Sequence, residues 1–571
     1  MEQNVLNLRI AGPAGTGVKA TGMIFSRACM RGGLHVFSFT DYPSLIRGGC
    51  NTFQIRVEEK PVLSSIYSID ALIVLTPSVI DETIAELRPG GVVICDEKDV
   101  PAIKRTDVTI IGVPTATLLK EAGLSLIMKN QVFLGLFMGL TTYPFDLLED
   151  TIRYTFAKKE DDVIVGNIMA AQKGYDFVKQ HNLSFDRSLS PIEGPAKILV
   201  SGNEAVALGA LSAGIGLYVA YPMTPSTAIL HFLAKAATQK NIVVKQGEDE
   251  IGVANLAIGA AHAGARAMCG TSGGGFALMQ EAVSLAGITE TPVVFVEVMR
   301  GAPATGVPTW TEQADLRFVM HAGHGDFPKV VLAPGDVDEA YEFIQIAFNA
   351  ADKYQCPAVL LSDKYLGESY FSVQPFTTGS IPIDRGKIET SPAEGFERYA
   401  VVPDGISPRS LPGTKNGIFV ANSDEHTPKG YSEESIENRN AQVEKRGRKL
   451  AGALDYLPKP ELFGEENAAI TIISFGSNKG AILQAIAFLK KDGITANFLH
   501  VKTLVPFHAD LVKERLMKAK KTLVVEQNHD GQFRSVIREN TLRDVDDVLL
   551  KYSGRQIYPE EILAKVKEVL Q

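Results

Sequence analysis

The chain alternates short apolar runs with longer stretches of helical periodicity, and glycine or proline punctuates most junctions. Asn7–Ala11, Val36–Phe39, Thr52–Ile55, Ala71–Val74, Gly91–Cys95 and Val108–Ile111 read as strands, and a helix is predicted from Val18 to about Arg31. Strands alternating with helices make βαβ units, so residues 1–185 are expected to form one α/β domain on a mostly parallel sheet. Residues 186–196 carry two prolines and no periodicity, as a linker does. A second α/β series fills 197–375, with strands at Lys197–Val200, Leu217–Ala220, Ile242–Lys245, Ala267–Gly270, Val293–Val298 and Ala358–Asp363. The pattern dissolves over 376–465, apart from a charged helical run, Glu433–Leu450, that reads as a solvated or partner-facing helix. A third α/β series occupies 466–571, with strands near Ala469–Phe475 and Thr522–Asn528.

A length of 571 residues suits several such domains, and 45% hydrophobic with 22% charged residues is ordinary for a globular protein. The formal charge of −9 speaks against a nucleic-acid binder. No apolar run approaches the roughly 20 residues of a membrane-spanning helix, and Met1-Glu2-Gln3-Asn4 leads directly into a strand. A cytoplasmic protein without membrane contact is expected. The five cysteines, at 29, 50, 95, 269 and 356, include no C-x-x-C pair, so they predict buried free thiols rather than a zinc or iron–sulfur site. His321 and His324 stand three apart without a third ligand of fitting spacing, so no metal site is expected on this chain.

Within this frame Tyr221-Pro222-Met223-Thr224-Pro225-Ser226-Thr227 is the most constrained stretch. Two prolines cannot continue the Leu217–Ala220 strand, because each fixes φ and lacks a ladder donor. Pro225 also pushes Thr224 toward extended geometry. The Thr224 hydroxyl is therefore held on a stiff corner past a strand end, where ligands bind in open α/β sheets. Ser226 or Thr227 is expected to cap the next helix. The residues alone allow either a plain strand–turn–helix corner or a site wall.

Other candidates follow the same geometry. After the Ile242–Lys245 strand, Glu248, Asp249 and Glu250 open a helix that is apolar nearly all round. Glu248 and Asp249 suit capping and the helix dipole, whereas Glu250 stands nearest the apolar stretch, where a carboxyl holds its proton more tightly. Thr271-Ser272-Gly273-Gly274-Gly275 forms another strand–turn–helix junction. Arg300 ends a central strand ahead of a Gly-, Pro- and Thr-rich loop containing Thr305 and Gly306, and suits either a grip on a carboxylate or a salt bridge to a helix end. In the first domain, Gly12-Pro13-Ala14-Gly15-Thr16-Gly17 precedes a helix, as in phosphate sites, but it lacks the Lys-Ser/Thr of a P-loop and the strict G-x-G-x-x-G spacing. Arg47-Gly48-Gly49 lies in a basic loop or a solvated hairpin.

Taken in order, these motifs resemble the α subunit of 2-oxoacid:ferredoxin oxidoreductases with a γ domain fused at the N-terminus, in the two-subunit 2-oxoglutarate arrangement. Residues 221–227 resemble the Tyr-Pro-Ile-Thr-Pro-Ser signature with Met223 in place of Ile; 246–250, 271–275, 300–309 and Glu526-Gln527-Asn528 match in order. Tyr42 and Arg47-Gly48-Gly49 match the γ part, while Gly12–Val18 departs from Gly-x-Gly-Gly-Gln-Gly.

The resemblance implies three α/β domains: a γ domain, a thiamine pyrimidine-binding domain and a transketolase C-terminal-like domain. It implies thiamine diphosphate bound through Tyr221, Pro222, Glu250, Ser272 and Gly273, with Glu250 on the pyrimidine N1′. Thr224 and Arg300 join Glu250 as catalytic residues; Thr224, Arg300, Thr305 and Gly306 line the substrate. Coenzyme A is implied at Gly12, Gly15, Thr16, Gly17 and Arg47. No Gly-Asp-Gly…Asn motif is present, so Mg²⁺ and a 4Fe-4S cluster are expected on a separate β subunit, in a dimer of αβ heterodimers that passes electrons to ferredoxin. The implied reaction converts a 2-oxoacid, best matched to 2-oxoglutarate, and coenzyme A to acyl-CoA and CO₂. The alternatives are a pyruvate- or branched-chain-specific enzyme, a non-oxidative thiamine-dependent decarboxylase subunit, and a non-catalytic nucleotide-binding scaffold.

Overall fold

The computed structural model describes residues 2–45 and 48–571. The chain divides into two compact units. The first comprises Met1–Ser201, Glu368–Pro375 and Tyr558–Glu560. Among the described residues it is built on an eight-stranded sheet in the order Thr109–Val113, Leu87–Asp96, Ile69–Val74, Leu6–Gly12, Asn51–Glu58, His35–Asp41, Tyr370–Val373 and Ile198–Ser201. The first four run parallel. The rest join antiparallel, so this sheet is mixed rather than mostly parallel. The reason is the connection: the chain returns from His35–Asp41 to Asn51–Glu58 without a crossover helix, and a short return makes an antiparallel pair. The Val18–Arg31 helix begins and ends where the sequence pattern places it.

The strand expected to open the second domain belongs here instead. Ile198–Ser201 pairs with Tyr370–Val373, Tyr370 lying opposite Ser201. Its partner arrives from far along the chain, and the Ser372 hydroxyl accepts from Val36 N–H at 2.7 Å.

The second unit comprises Gly202–Gly367, Phe376–Ile557 and Glu561–Gln571. Among the described residues it carries two sheets. The larger orders Val243–Gln246, Leu217–Ala220, Ala267–Thr271, Val293–Met299, Pro357–Asp363, Val330–Leu332 and Thr503–Val505. All of its pairs are parallel except the last, in which Thr503–Val505 adds an antiparallel edge. The smaller sheet pairs Ile470–Phe475 parallel with both Ala496–Val501 and Thr522–Glu526. One apolar core runs through both sheets and includes Val219, Phe295, Leu361, Phe475, Leu499 and Phe533. Parallel strands buried on both faces are continuous apolar runs, as Val293–Met299 is, save for Glu297.

The charged run expected to be solvated proves anchored. It forms the Ile436–Arg448 helix, and Lys445 and Lys449 are fully buried. Their ammonium groups lie 2.7 and 2.6 Å from the two carboxylate oxygens of Glu290. Burial works to raise the Glu290 carboxyl, but Lys449, Lys445 and Arg398 outweigh it and hold it well below the usual range. A buried carboxylate needs such partners, and their spacing in the chain hid them from periodicity. Cys29, Cys95, Cys269 and Cys356 are buried free thiols, while Cys50 is half-buried.

Candidate active site

The carboxyl ends of Leu217–Ala220, Ala267–Thr271 and Val293–Met299 meet three polar segments of the second unit. The Met223–Ser226 corner is pinned on several sides. Asn203 Nδ2 donates to the Pro225 carbonyl at 2.9 Å, and the Thr271 hydroxyl lies 3.7 Å from Met223 Sδ. Arg300 Nη1 donates to the Thr224 carbonyl at 2.7 Å. Ser226 does not cap the following helix through its side chain: with φ −71° and ψ −16°, its hydroxyl turns back to the Met223 carbonyl at 2.8 Å. Tyr221 and Pro222 lie exposed at the rim and Thr224 is half-buried.

Glu250 opens its helix one residue after the true cap, Asp249, whose carboxylate accepts from Gly252 N–H at 2.7 Å. Glu250 is 4% exposed, and its Oε1 is buried without a hydrogen-bond partner among the described residues. It lies against Gly275: a Cβ there would stand 2.8 Å from Glu250 Oε1 and 2.1 Å from the Thr271 hydroxyl oxygen. Only glycine permits this approach. Ser272 is likewise fully buried with an unpartnered hydroxyl. Gly273 makes room for Asp315, whose Oδ2 would be 2.3 Å from a Cβ at that position.

The structure thus gathers Glu250, Ser272, Gly273, Thr224 and Arg300 at one end of one sheet. Thr305 and Gly306 stand apart on an exposed loop that folds on itself, bridging Gly301 to Val307. The loop's Ala304 carbonyl approaches Gly274, within 3.8 Å of a Cβ built there. Its far end is fixed by the Arg555 guanidinium, 3.1 Å from the Trp310 ring centroid. In the first unit, Gly12 ends a strand, Gly15 and Gly17 adopt positive φ, and the Thr16 hydroxyl donates to the Pro13 carbonyl at 2.7 Å. Arg47 lies outside the described residues.

Sequence reasoning missed an acidic network behind Arg300. Glu297 is fully buried and neither carboxyl oxygen has a hydrogen-bond partner. Burial, with Asp315 and Asp363 adding, pushes its carboxyl far above the usual range, against Arg300. Burial raises Asp315 to about 6, with Arg300 opposing. Burial also raises Asp363, against the Ser477 hydroxyl at 2.5 Å, Leu366 N–H and Gln313 Nε2. Gln313 is gripped in turn by the Glu526-Gln527-Asn528 motif: its N–H donates to the Gln527 carbonyl at 2.7 Å and its carbonyl accepts from Asn528 Nδ2 at 3.3 Å. The signal was a lone acid inside an otherwise apolar strand.

An orphaned carboxylate at a helix start, pressed against a glycine turn beside a second unpartnered hydroxyl, fits the polar edge of a cofactor ring. Three family models match along the chain. That of the thiamine diphosphate-binding domain of pyruvate flavodoxin/ferredoxin oxidoreductase covers residues 208–445. Pyruvate ferredoxin/flavodoxin oxidoreductase covers 7–177, and core domain II of pyruvate:ferredoxin oxidoreductase covers 468–562. Subunit alpha of 2-oxoacid:ferredoxin oxidoreductase 2 from Aeropyrum pernix is 32% identical over 99% of this chain and 98% of its own. The 2-oxoglutarate synthase subunit KorA of Methanothermobacter marburgensis is 34% identical over 64% of this chain and 97% of its own. The solved 2-oxoglutarate:ferredoxin oxidoreductase from Magnetococcus marinus, with 2-oxoglutarate, coenzyme A and succinyl-CoA bound, superposes with a TM-score of 0.93 at 31% identity over the whole of both chains. The chain belongs to the 2-oxoacid:ferredoxin oxidoreductase family, as an α subunit carrying the thiamine diphosphate-binding domain.

Proposed function

We propose that this subunit, with a β partner, oxidatively decarboxylates 2-oxoglutarate in the presence of coenzyme A, giving succinyl-CoA, CO₂ and reduced ferredoxin. The buried, unpartnered Oε1 of Glu250 against Gly275 carries the reading. Bound thiamine diphosphate supplies the nucleophilic carbon and the electron sink for decarboxylation. Glu250 holds the cofactor's pyrimidine edge and exchanges a proton there from Oε1. The Ser272 hydroxyl and the turn at Gly273 border the same ring, with Tyr221 and Pro222 at the rim. Arg300 anchors the substrate's 1-carboxylate until it leaves as CO₂, and Thr224 donates to the oxygen on which charge develops. Thr305 and Gly306, on the exposed loop whose Ala304 carbonyl approaches Gly274, would line the substrate from its open side. The related Magnetococcus enzyme, with 2-oxoglutarate and succinyl-CoA in its structure, supports the choice of substrate.

Coenzyme A is assigned to the first unit, where the backbone N–H groups at the start of Val18–Arg31, beside Gly12, Gly15, Thr16 and Gly17, meet its phosphates, with Arg47 as a cationic partner. The 4Fe-4S cluster is assigned to the partner subunit because the cysteine spacing here carries no cluster signature, and Mg²⁺ because the sequence has no Gly-Asp-Gly…Asn motif. The assembly is taken as a dimer of αβ heterodimers in the cytoplasm; no helix among the described residues is long and apolar enough to cross a membrane. Anaerobic assay of the purified complex for coenzyme A-dependent viologen reduction, across 2-oxoglutarate, pyruvate and branched 2-oxoacids, tests the reading. Highest kcat/KM with 2-oxoglutarate is expected. No coenzyme A-dependent reduction with any of them would overturn it.

A further inference from the structure

Two carboxyl groups and one guanidinium act on the Glu297 carboxyl behind the substrate side of the site. Glu297 lies within the central Val293–Met299 strand, and Arg300 follows that strand's end. Asp363 closes the neighbouring strand, in register with Met299. Asp315 precedes the Leu316–Met320 helix and lies against Gly273. Asp315, Asp363 and Arg300 act on Glu297, and Asp315 and Glu297 act on Arg300, while Glu312, in the same loop as Asp315, feels Asp315 in turn.

Their hydrogen bonding differs in a way that decides where charge resides. Asp363 receives donors from Ser477, Gln313 and the Leu366 N–H. Asp315 is half-buried; its Oδ2 has no hydrogen-bond partner among the described residues, but the Arg300 guanidinium favours its ionised form. Glu297 is fully buried and, among the described residues, receives no donor on either oxygen. An ionised carboxylate in that position would be strongly disfavoured, because nothing replaces the water it loses. Were all three acids ionised, the cluster would oppose any anion brought to Arg300.

We propose that Glu297 is a positioning residue for Arg300: it stands in the cluster as the neutral acid, so that Asp315 alone compensates the guanidinium and Arg300 keeps its attraction for an anionic substrate group. The inference rests on the reading of Arg300 as the anchor of the 2-oxoacid carboxylate. Ionisation of Glu297 places a second negative charge beside that anchor and weakens the substrate's hold without touching the cofactor side at Glu250. The effect therefore falls on KM rather than kcat.

The test is KM for 2-oxoglutarate against pH, in the purified complex, for the parent and E297Q. Viologen reduction by the parent is measured first, so that failure of the functional reading is seen separately. The two KM curves are expected to coincide at neutral pH and to part above it, the parent's rising roughly tenfold over E297Q's, as a charge effect of about 1.4 kcal/mol gives, with kcat alike. E297M, uncharged and of similar length, is expected to follow E297Q. A tenfold KM difference between parent and E297Q at neutral pH, or curves that track one another at every pH, overturns the proposal. So does failure of both uncharged variants to assemble, since the cluster as argued requires no ion at position 297.

Discussion

The Arg300 guanidinium donates to the Thr224 carbonyl oxygen at 2.7 Å, across 76 residues of sequence. One hydrogen bond therefore ties the proposed substrate anchor to the proline-flanked corner. Lysine keeps the charge but not the planar, branched donor set that reaches the corner and an anion together. R300K should lower kcat/KM for the 2-oxoacid about 100-fold, a loss of roughly 3 kcal/mol in transition-state stabilisation, with KM carrying much of it. Steady-state kinetics check this; an unchanged KM would detach Arg300 from the substrate.

Gly275 sets the position of Glu250. A methyl group there collides with Glu250 Oε1 and with the Thr271 hydroxyl, both side-chain atoms that can turn aside. G275A should therefore fold and assemble, yet lose at least about tenfold in kcat through misplacement of a single carboxylate. Turnover, compared with the melting temperature of the same preparation, separates the two effects. Parent-like turnover would mean that Glu250 is not held by this turn.

Asp315 makes stability depend on pH with a definite sign. Its carboxyl rises to about 6 in the folded protein, mainly through burial, whereas an unfolded chain titrates near 3.9. The folded state holds this proton more tightly, so the stabilising contribution is complete below about pH 4 and is lost as pH rises through 6. D315N should flatten that part of the stability profile, by at most about 3 kcal/mol. Denaturation midpoints between these pH values measure it; a parallel profile in D315N would refute the shift.

Much of this was legible before folding was considered. The Val18–Arg31 helix and the strands around the corner follow from periodicity and proline chemistry, and the grouping of Thr224, Glu250 and Arg300 was implied by the family resemblance of the ordered motifs. What was not legible depends on distant partners. Ile198–Ser201 has an ordinary strand pattern, but its sheet is decided by Tyr370–Val373, which arrives after the whole second series. The antiparallel half of the first sheet depends on a return that lacks a helix. No sequence pattern marks Asp315, because its proximity to Gly273 and to Arg300 exists only in three dimensions.

Glu290 joins the connector to the second unit's core. E290Q leaves Lys445 and Lys449 buried without their carboxylate. Breaking a buried pair on one side costs about 3–5 kcal/mol, so E290Q should lower the denaturation midpoint sharply while leaving KM unchanged in whatever enzyme remains folded. A midpoint within the error of the parent's would contradict the buried network.

Glu250 is proposed to serve the cofactor through an oxygen that no other described residue engages. Turnover of E250Q in the assembled complex, measured by anaerobic 2-oxoglutarate-dependent viologen reduction, tests it most directly. The account predicts a parent-like complex by size and melting temperature with kcat reduced by at least about 100-fold, the scale of a lost proton-transfer group. Turnover of E250Q within twofold of the parent would contradict it.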